Sequence, residues 1–144
     1  MRTTTPITIR YGETDMMGVV YHANYLLYFE DARTQFLQEL GYPYELLEEA
    51  GLMSPVLDAQ LSYGMPLRYG KGAFVVTRVV SSKPMRTTFA YEVYEEGAVP
   101  GVDKPACTGT TVHCLVERST FKPVSIKREV PALYELYNQA LEAE

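Results

Sequence analysis

The segment from Arg10 to Tyr25 sets one carboxylate, Asp15, in a glycine-bounded loop seven residues before His22, where a long helical pattern begins. A helix start offers backbone N–H groups with no partner inside the helix, together with the positive end of the helix dipole. Such groups polarise a carbonyl and hold a developing oxyanion, a contribution of about 3 to 4 kcal/mol per donor in other enzymes. A carboxylate facing them can attack the carbonyl carbon itself or act as general base on water. Asp15 is therefore the candidate nucleophile or base, and the helix start near His22 the candidate electrophilic side. Position alone leaves bland readings open. An Asp in a Gly-flanked loop serves equally as a turn or capping residue, and His22 as a solvated or capping group. Tyr11 and Tyr25 read as core aromatics, and Met16 and Met17 as packing or a pocket wall. Glu13 reads as a solvent-facing loop charge, and His113, on an apolar strand, as a satisfied structural histidine. Cys107 and Cys114 have no neighbouring base in the sequence, so thiol nucleophilic chemistry has little support.

The elements that must position this loop follow from periodicity. Met1 to Arg10 alternates β-branched and polar residues, the pattern of a half-exposed strand running into Tyr11. Gly12 to Gly18 is a shaped loop. From Ala23, the residues Tyr25, Leu26, Phe29, Ala32, Phe36, Leu37 and Leu40 recur at three- and four-residue intervals, which predicts one long helix ending at Gly41. Pro43 opens a shorter helix that stops at Gly51. Beyond it, Met53 to Tyr63, Ala73 to Ser81, Thr87 to Tyr94 and Ala106 to Val116 are rich in Val, Thr, Tyr and Phe and read as strands. Their short connections favour antiparallel pairing, with Glu95 to Lys104 as an extended hairpin loop, and a last helix follows Pro131. The reading is a single α+β domain over residues 1–144, a curved antiparallel sheet of about five strands wrapped around one long helix. Exposed sheet edges invite pairing with a second copy, so at least a homodimer is expected.

Composition narrows the function classes. The 144 residues, with 47% hydrophobic and 22% charged, suit one ordinary globular core. Against 13 Lys and Arg stand 18 Asp and Glu, a net charge of −5 with no basic block, which argues against a nucleic-acid partner. The longest apolar runs fall far short of the ~20 residues needed to cross a bilayer, and no apolar signal-peptide segment follows Met1 and Arg2. The expected compartment is the cytoplasm. Cys107 and Cys114, seven apart on one β segment, point to opposite faces and suit a reducing environment. Neither histidine completes a Cys/His zinc pattern, so no metal site is expected.

The stretch Tyr11 to Leu26, followed by Tyr28-Phe29-Glu30-Asp31-Ala32-Arg33, resembles the signature of hotdog-fold acyl-CoA thioesterases of the 4-hydroxybenzoyl-CoA thioesterase branch, including the Tol-Pal-associated members. The likeness combines Asp15, Gly18, His22, Asn24 and Tyr25 at fixed offsets and runs straight into the long helix. Pro66-Leu67-Arg68-Tyr69-Gly70 resembles the strand lead-in of that family. Related sequences often carry an acidic residue soon after this tyrosine, whereas Lys71 and Gly72 stand here. The resemblance implies Asp15 as the catalytic carboxylate, His22 as the helix-start residue engaging the thioester carbonyl, and Tyr11 as a tyrosine near that carboxylate. It implies substrate-binding or supporting roles for Gly18, Asn24, Tyr25 and Arg68. It further implies an acyl-CoA substrate, or an acyl carrier protein thioester, no cofactor, and a site completed at the interface of a homodimer that pairs further into a dimer of dimers. Few groups are needed for such a reaction, because a thiol of pKa about 8.5 leaves without strong acid assistance. Arg68, Lys71, Lys83, Arg86 and Lys122 are candidates to meet the phosphates of CoA. Two further readings stand beside hydrolysis: a non-catalytic acyl-CoA-binding or sensing module, and a hydratase or dehydratase on the same fold.

Overall fold

The computed structural model describes residues 1–142. Five strands, β1 (Thr3–Ile7), β3 (Val56–Tyr63), β4 (Ala73–Lys83), β5 (Arg86–Glu95) and β6 (Cys107–His113), form one antiparallel sheet in the order β1-β4-β5-β6-β3. A second sheet of three very short strands, β2 (Leu52–Met53), β7 (Leu115–Glu117) and β8 (Pro123–Val124), stands beyond the end of β6. The expected β segment from Ala106 to Val116 is thus two strands broken at Cys114, one in each sheet. Both cysteines are buried and free. Bulges between Val56 and Asp58 and between Val79 and Ser81 bend β3 and β4, which lets the sheet wrap.

What it wraps is α1 (Tyr25–Leu40), closed at Gly41, whose φ of 93° lets its N–H return to the Leu37 and Gln38 carbonyls. The buried stripe differs from the periodic one at three positions: Leu26 is 41% exposed, Leu40 is only partly buried, and Tyr28, outside the apolar count, is 2% exposed. A tyrosine can be buried there because its hydroxyl donates to Glu13 Oε1 at 2.9 Å, which removes the penalty on a dry polar group. Phe29 stacks on Tyr91 with centroids 4.2 Å apart, and Phe36 meets Phe89 edge-on at 5.7 Å. Gly109 on β6 permits this approach. A Cβ there would stand 2.6 Å from the Gln60 carbonyl oxygen and 2.7 Å from the Phe29 ring. Gly109→Ala is expected to lower stability by about 1 to 3 kcal/mol, measured as a shifted urea midpoint with unchanged slope.

The remaining helices are α2 (Tyr44–Glu49), α3 (Ile126–Glu129) and α4 (Pro131–Ala140), whose Tyr137 packs edge-on against Phe89 at 5.9 Å. No helix among the described residues is long and apolar enough to cross a membrane.

His113 is buried at 2% exposure and only half satisfied. Its Nε2 meets Thr111 Oγ1 at 2.8 Å, but Nδ1 faces the Ser54 backbone without a bond of good geometry. Burial first, then the nearby Arg33 charge, pulls the imidazole from 6.5 down to about 4. The unfolded chain therefore takes up a proton below pH ~6.5 that the native protein refuses until pH ~4. The stability is complete above the higher value and lost as pH falls toward the lower, by about 3 kcal/mol in all. Urea unfolding at steps from pH ~7 to ~4.5 is expected to show that slope, and His113→Asn to flatten it.

Candidate active site

The loop before α1 is held by its own short sequence. Residues Tyr11–Glu13 form a 3-10 turn where the strand expected to run into Tyr11 has already ended. Thr14 and Val20 then bridge antiparallel, so Asp15 to Val19 form a tight hairpin. Asp15 donates its N–H to the Val19 carbonyl, its own carbonyl accepts from Gly18 N, and its Oδ1 accepts from Met17 N, all at 2.9 Å. This is an Asx turn that fixes the carboxyl in orientation while leaving Oδ2 with no partner among the described residues. Gly18 takes a φ of 77°, and a Cβ at this position would lie 3.7 Å from the Arg68 guanidinium. Gly18 and Arg68 are thus neighbours at the hairpin tip.

His22–Asn24 form a second 3-10 turn that leads into α1. The N–H groups of His22 and Ala23 open it and have no acceptor among the described residues, as expected for the first residues of a helical segment. Asp15, His22, Tyr25 and Met17 line one cavity of about 190 Å³, together with Val20, Tyr63, Met65 and Ala106. The fold therefore brings Asp15 and His22, the first residue of the helix start, to the same small space. The imidazole of His22 is exposed, tilted against Tyr21 with centroids 4.3 Å apart.

Other expected residues lie differently. Tyr11 is 76% exposed, packs edge-on against Tyr69 at 5.6 Å, and does not line the cavity. Asn24 donates from Nδ2 to the Glu13 carbonyl at 2.8 Å, tying the hairpin to the helix entry. Tyr25 forms the cavity's inner wall, with its hydroxyl pushed up to about 12, chiefly by burial. Burial also pushes the Cys107 thiol up to about 12, so no thiolate forms there near neutral pH.

Two contributors were missed in the sequence. Tyr63, at the far end of β3, donates its hydroxyl to the His22 carbonyl at 3.0 Å and packs against the His22 and Tyr25 rings. Glu13 is not a solvated loop charge but half-buried. Its carboxylate accepts from Arg10 N and the Tyr28 hydroxyl, and its carbonyl accepts from Tyr21 N and the Asn24 side chain. The only sequence signal was the Glu three residues after a turn entry, the spacing of a capping box.

Comparison with known proteins gives one consistent answer. The thioesterase-like superfamily matches residues 9–133. YneP of Bacillus subtilis, provisionally named an acyl-CoA thioesterase, is 36% identical over 134 residues, 93% of this chain and 94% of that protein. The acyl-CoA thioesterase YbgC of Haemophilus influenzae is 31% identical over 132 residues, 90% of this chain and 91% of that protein. A crystal structure of a DHNA-CoA thioesterase from Staphylococcus aureus superimposes with a TM-score of 0.89 at 35% identity, covering 96% of this chain and 89% of that one.

Proposed function

The chain belongs to the thioesterase-like superfamily, and from that premise we propose that this hotdog domain hydrolyses an acyl-CoA thioester, or the equivalent acyl carrier protein thioester, to the free acid and thiol. The observation that carries the reading is the cavity shared by Asp15 and His22, the residue whose unpaired amide opens the helix start. The thioester carbonyl oxygen points at that helix start, which holds the negative charge as it forms. Asp15 Oδ2 either takes a proton from water, which attacks the carbonyl carbon, or attacks that carbon itself to give a mixed anhydride that water then opens. In both routes the C–S bond breaks with its electron pair on sulfur, and the thiolate leaves unaided. Gly18 lets the hairpin backbone approach the substrate, Tyr25 walls the acyl carbon, and Arg68, beside Gly18, offers a cation to the CoA moiety. Asn24 acts by holding the loop. Tyr11, exposed and outside the cavity, is left to act from the surface or across a subunit boundary.

That boundary is part of the proposal. β3 is an edge strand exposed along nearly its whole length, with Val56, Leu57 and Tyr63 about half exposed. Such an edge pairs readily with a second copy. Antiparallel pairing of two β3 strands would set the Tyr63 end of each beside the Val56 end of the other and cover the open side of the cavity. Light scattering is expected to give at least twice the 16.3 kDa chain mass. A monomer fully active in thiol release would remove the second copy from the site. The activity itself is tested by thiol release across short, medium, long and aromatic acyl-CoAs. Tight acyl-CoA binding without any turnover would favour the sensing module instead.

A further inference from the structure

A second cavity of about 360 Å³ lies along the C-terminal half of α1, lined among others by Arg33, Leu37, Tyr44, Phe89 and Tyr137, with Glu30 on its exposed rim. Its walls mix apolar and aromatic side chains with polar ones, among them the half-buried Arg33. Arg33 makes a single hydrogen bond, from Nη1 to the Tyr91 hydroxyl at 3.1 Å, and has no carboxylate within ion-pair distance among the described residues. The Tyr91 hydroxyl is in turn shared with Thr111 Oγ1, and Thr111 with His113 Nε2, so the groups behind Arg33 are neutral. A cation taken partly out of water with one neutral partner out of five donors is poorly compensated. An occupant that brings an anionic acceptor would complete it.

The cavity and the Asp15 site both border α1, one near its C-terminal half and the other at its start. Leu26, Glu30, Arg33 and Leu37 recur at the spacing of one helix face. The two ends of β3 reach the two sites, Tyr63 bonded to His22 at one end and Val56 lining the second cavity at the other. From Tyr25 to Arg33 the helix rises ~12 Å. A zigzag chain of ~1.5 Å bonds covers that distance with about ten carbons.

Resting on the thioesterase reading above, we propose that this cavity receives the far end of the acyl chain and that Arg33 selects chains ending in a carboxylate. The substrate class is then an ω-carboxyacyl thioester of medium length.

The test uses non-cleavable CoA thioethers of about ten carbons, one ending in a carboxylate and one in a methyl group, bound to the intact protein and read by calorimetry. The carboxylated probe is expected to bind about 10- to 100-fold tighter, the range of a charged hydrogen-bonded contact. Arg33→Met is expected to erase the difference. Equal affinity of the two probes for the unmutated protein overturns the proposal, as does a difference that survives Arg33→Met. Should that variant fail to fold, the unmutated comparison decides alone. The free dicarboxylic acid of the same length is the control for source, and its binding as tightly as the thioether would show a site for free acids and overturn the assignment to a substrate tail. Thioether binding needs no turnover. Failure of hydrolysis with a retained carboxylate preference would thus sink the reaction and spare the cavity, and the converse result would do the reverse.

Discussion

Replacing Asp15 by Asn is expected to slow thiol release from acyl-CoA by about a thousandfold while leaving the fold unchanged. The substitution keeps an oxygen at Oδ1, so the 2.9 Å bond from Met17 N and the Asx turn survive. What disappears is the negative charge and basicity of Oδ2, the one oxygen that the hairpin does not use. The free amides of His22 and Ala23 remain, and their hold on the oxyanion accounts for the residual rate. A rate within tenfold of the unmutated protein, at equal thermal stability, would remove Asp15 from the chemistry. In a single turnover in heavy-oxygen water, label entering the Asp15 carboxylate requires attack by Asp15 itself, whereas label confined to the product acid fits either a water activated by Asp15 or an anhydride opened at its acyl carbon.

The legible part of this site was the part built from neighbours in sequence. Asp15, Gly18 and His22 share a hairpin and the turn after it, so their spacing already implied their grouping. The long helix announced itself because Tyr25, Phe29, Ala32 and Phe36 repeat on one face, and Gly41 ended it through its left-handed backbone. Tyr63 was silent because it reaches His22 across 41 residues, through a pairing of β3 with β6 that no local pattern encodes. The break at Cys114 was silent for a related reason. Only His113 interrupts the apolar run from Val112 to Val116, and only the partners of the two halves, β3 and β5 on one side and β2 and β8 on the other, show that the chain has changed sheets. Glu13 illustrates a third cause. A charge in a loop is read as solvated unless its partner is known, and the partner here is a hydroxyl on the wrong side of the helix for an apolar count.

That same Glu13 supports the second large prediction. It does not line the cavity, yet its carboxylate joins the loop entry at Arg10 to Tyr28 on the first turn of α1, and its carbonyl receives Tyr21 N and the Asn24 side chain. It is a positioning residue that sets the distance between the Asp15 hairpin and the helix tip. Glu13→Ala leaves the Tyr28 hydroxyl buried and unpaired, which costs about 1 to 3 kcal/mol of stability. It also frees the hairpin to drift, and a misplacement near 1 Å costs about a hundredfold in rate. The expected result is a kcat lower by about 10- to 100-fold with KM little changed, measured at a temperature where the variant is fully folded. Glu13→Gln keeps an acceptor for both bonds and is expected to restore most of the rate. Tyr28→Phe removes the donor instead, so Glu13→Ala on that background is expected to cost less than on the unmutated protein. A purely structural Glu13 would lower the melting temperature in all these variants and leave kcat in the folded fraction untouched. That outcome would place the alignment of carboxylate and helix tip entirely in the hairpin's own bonds, from Met17 and Gly18 to Asp15 and from Asp15 to Val19.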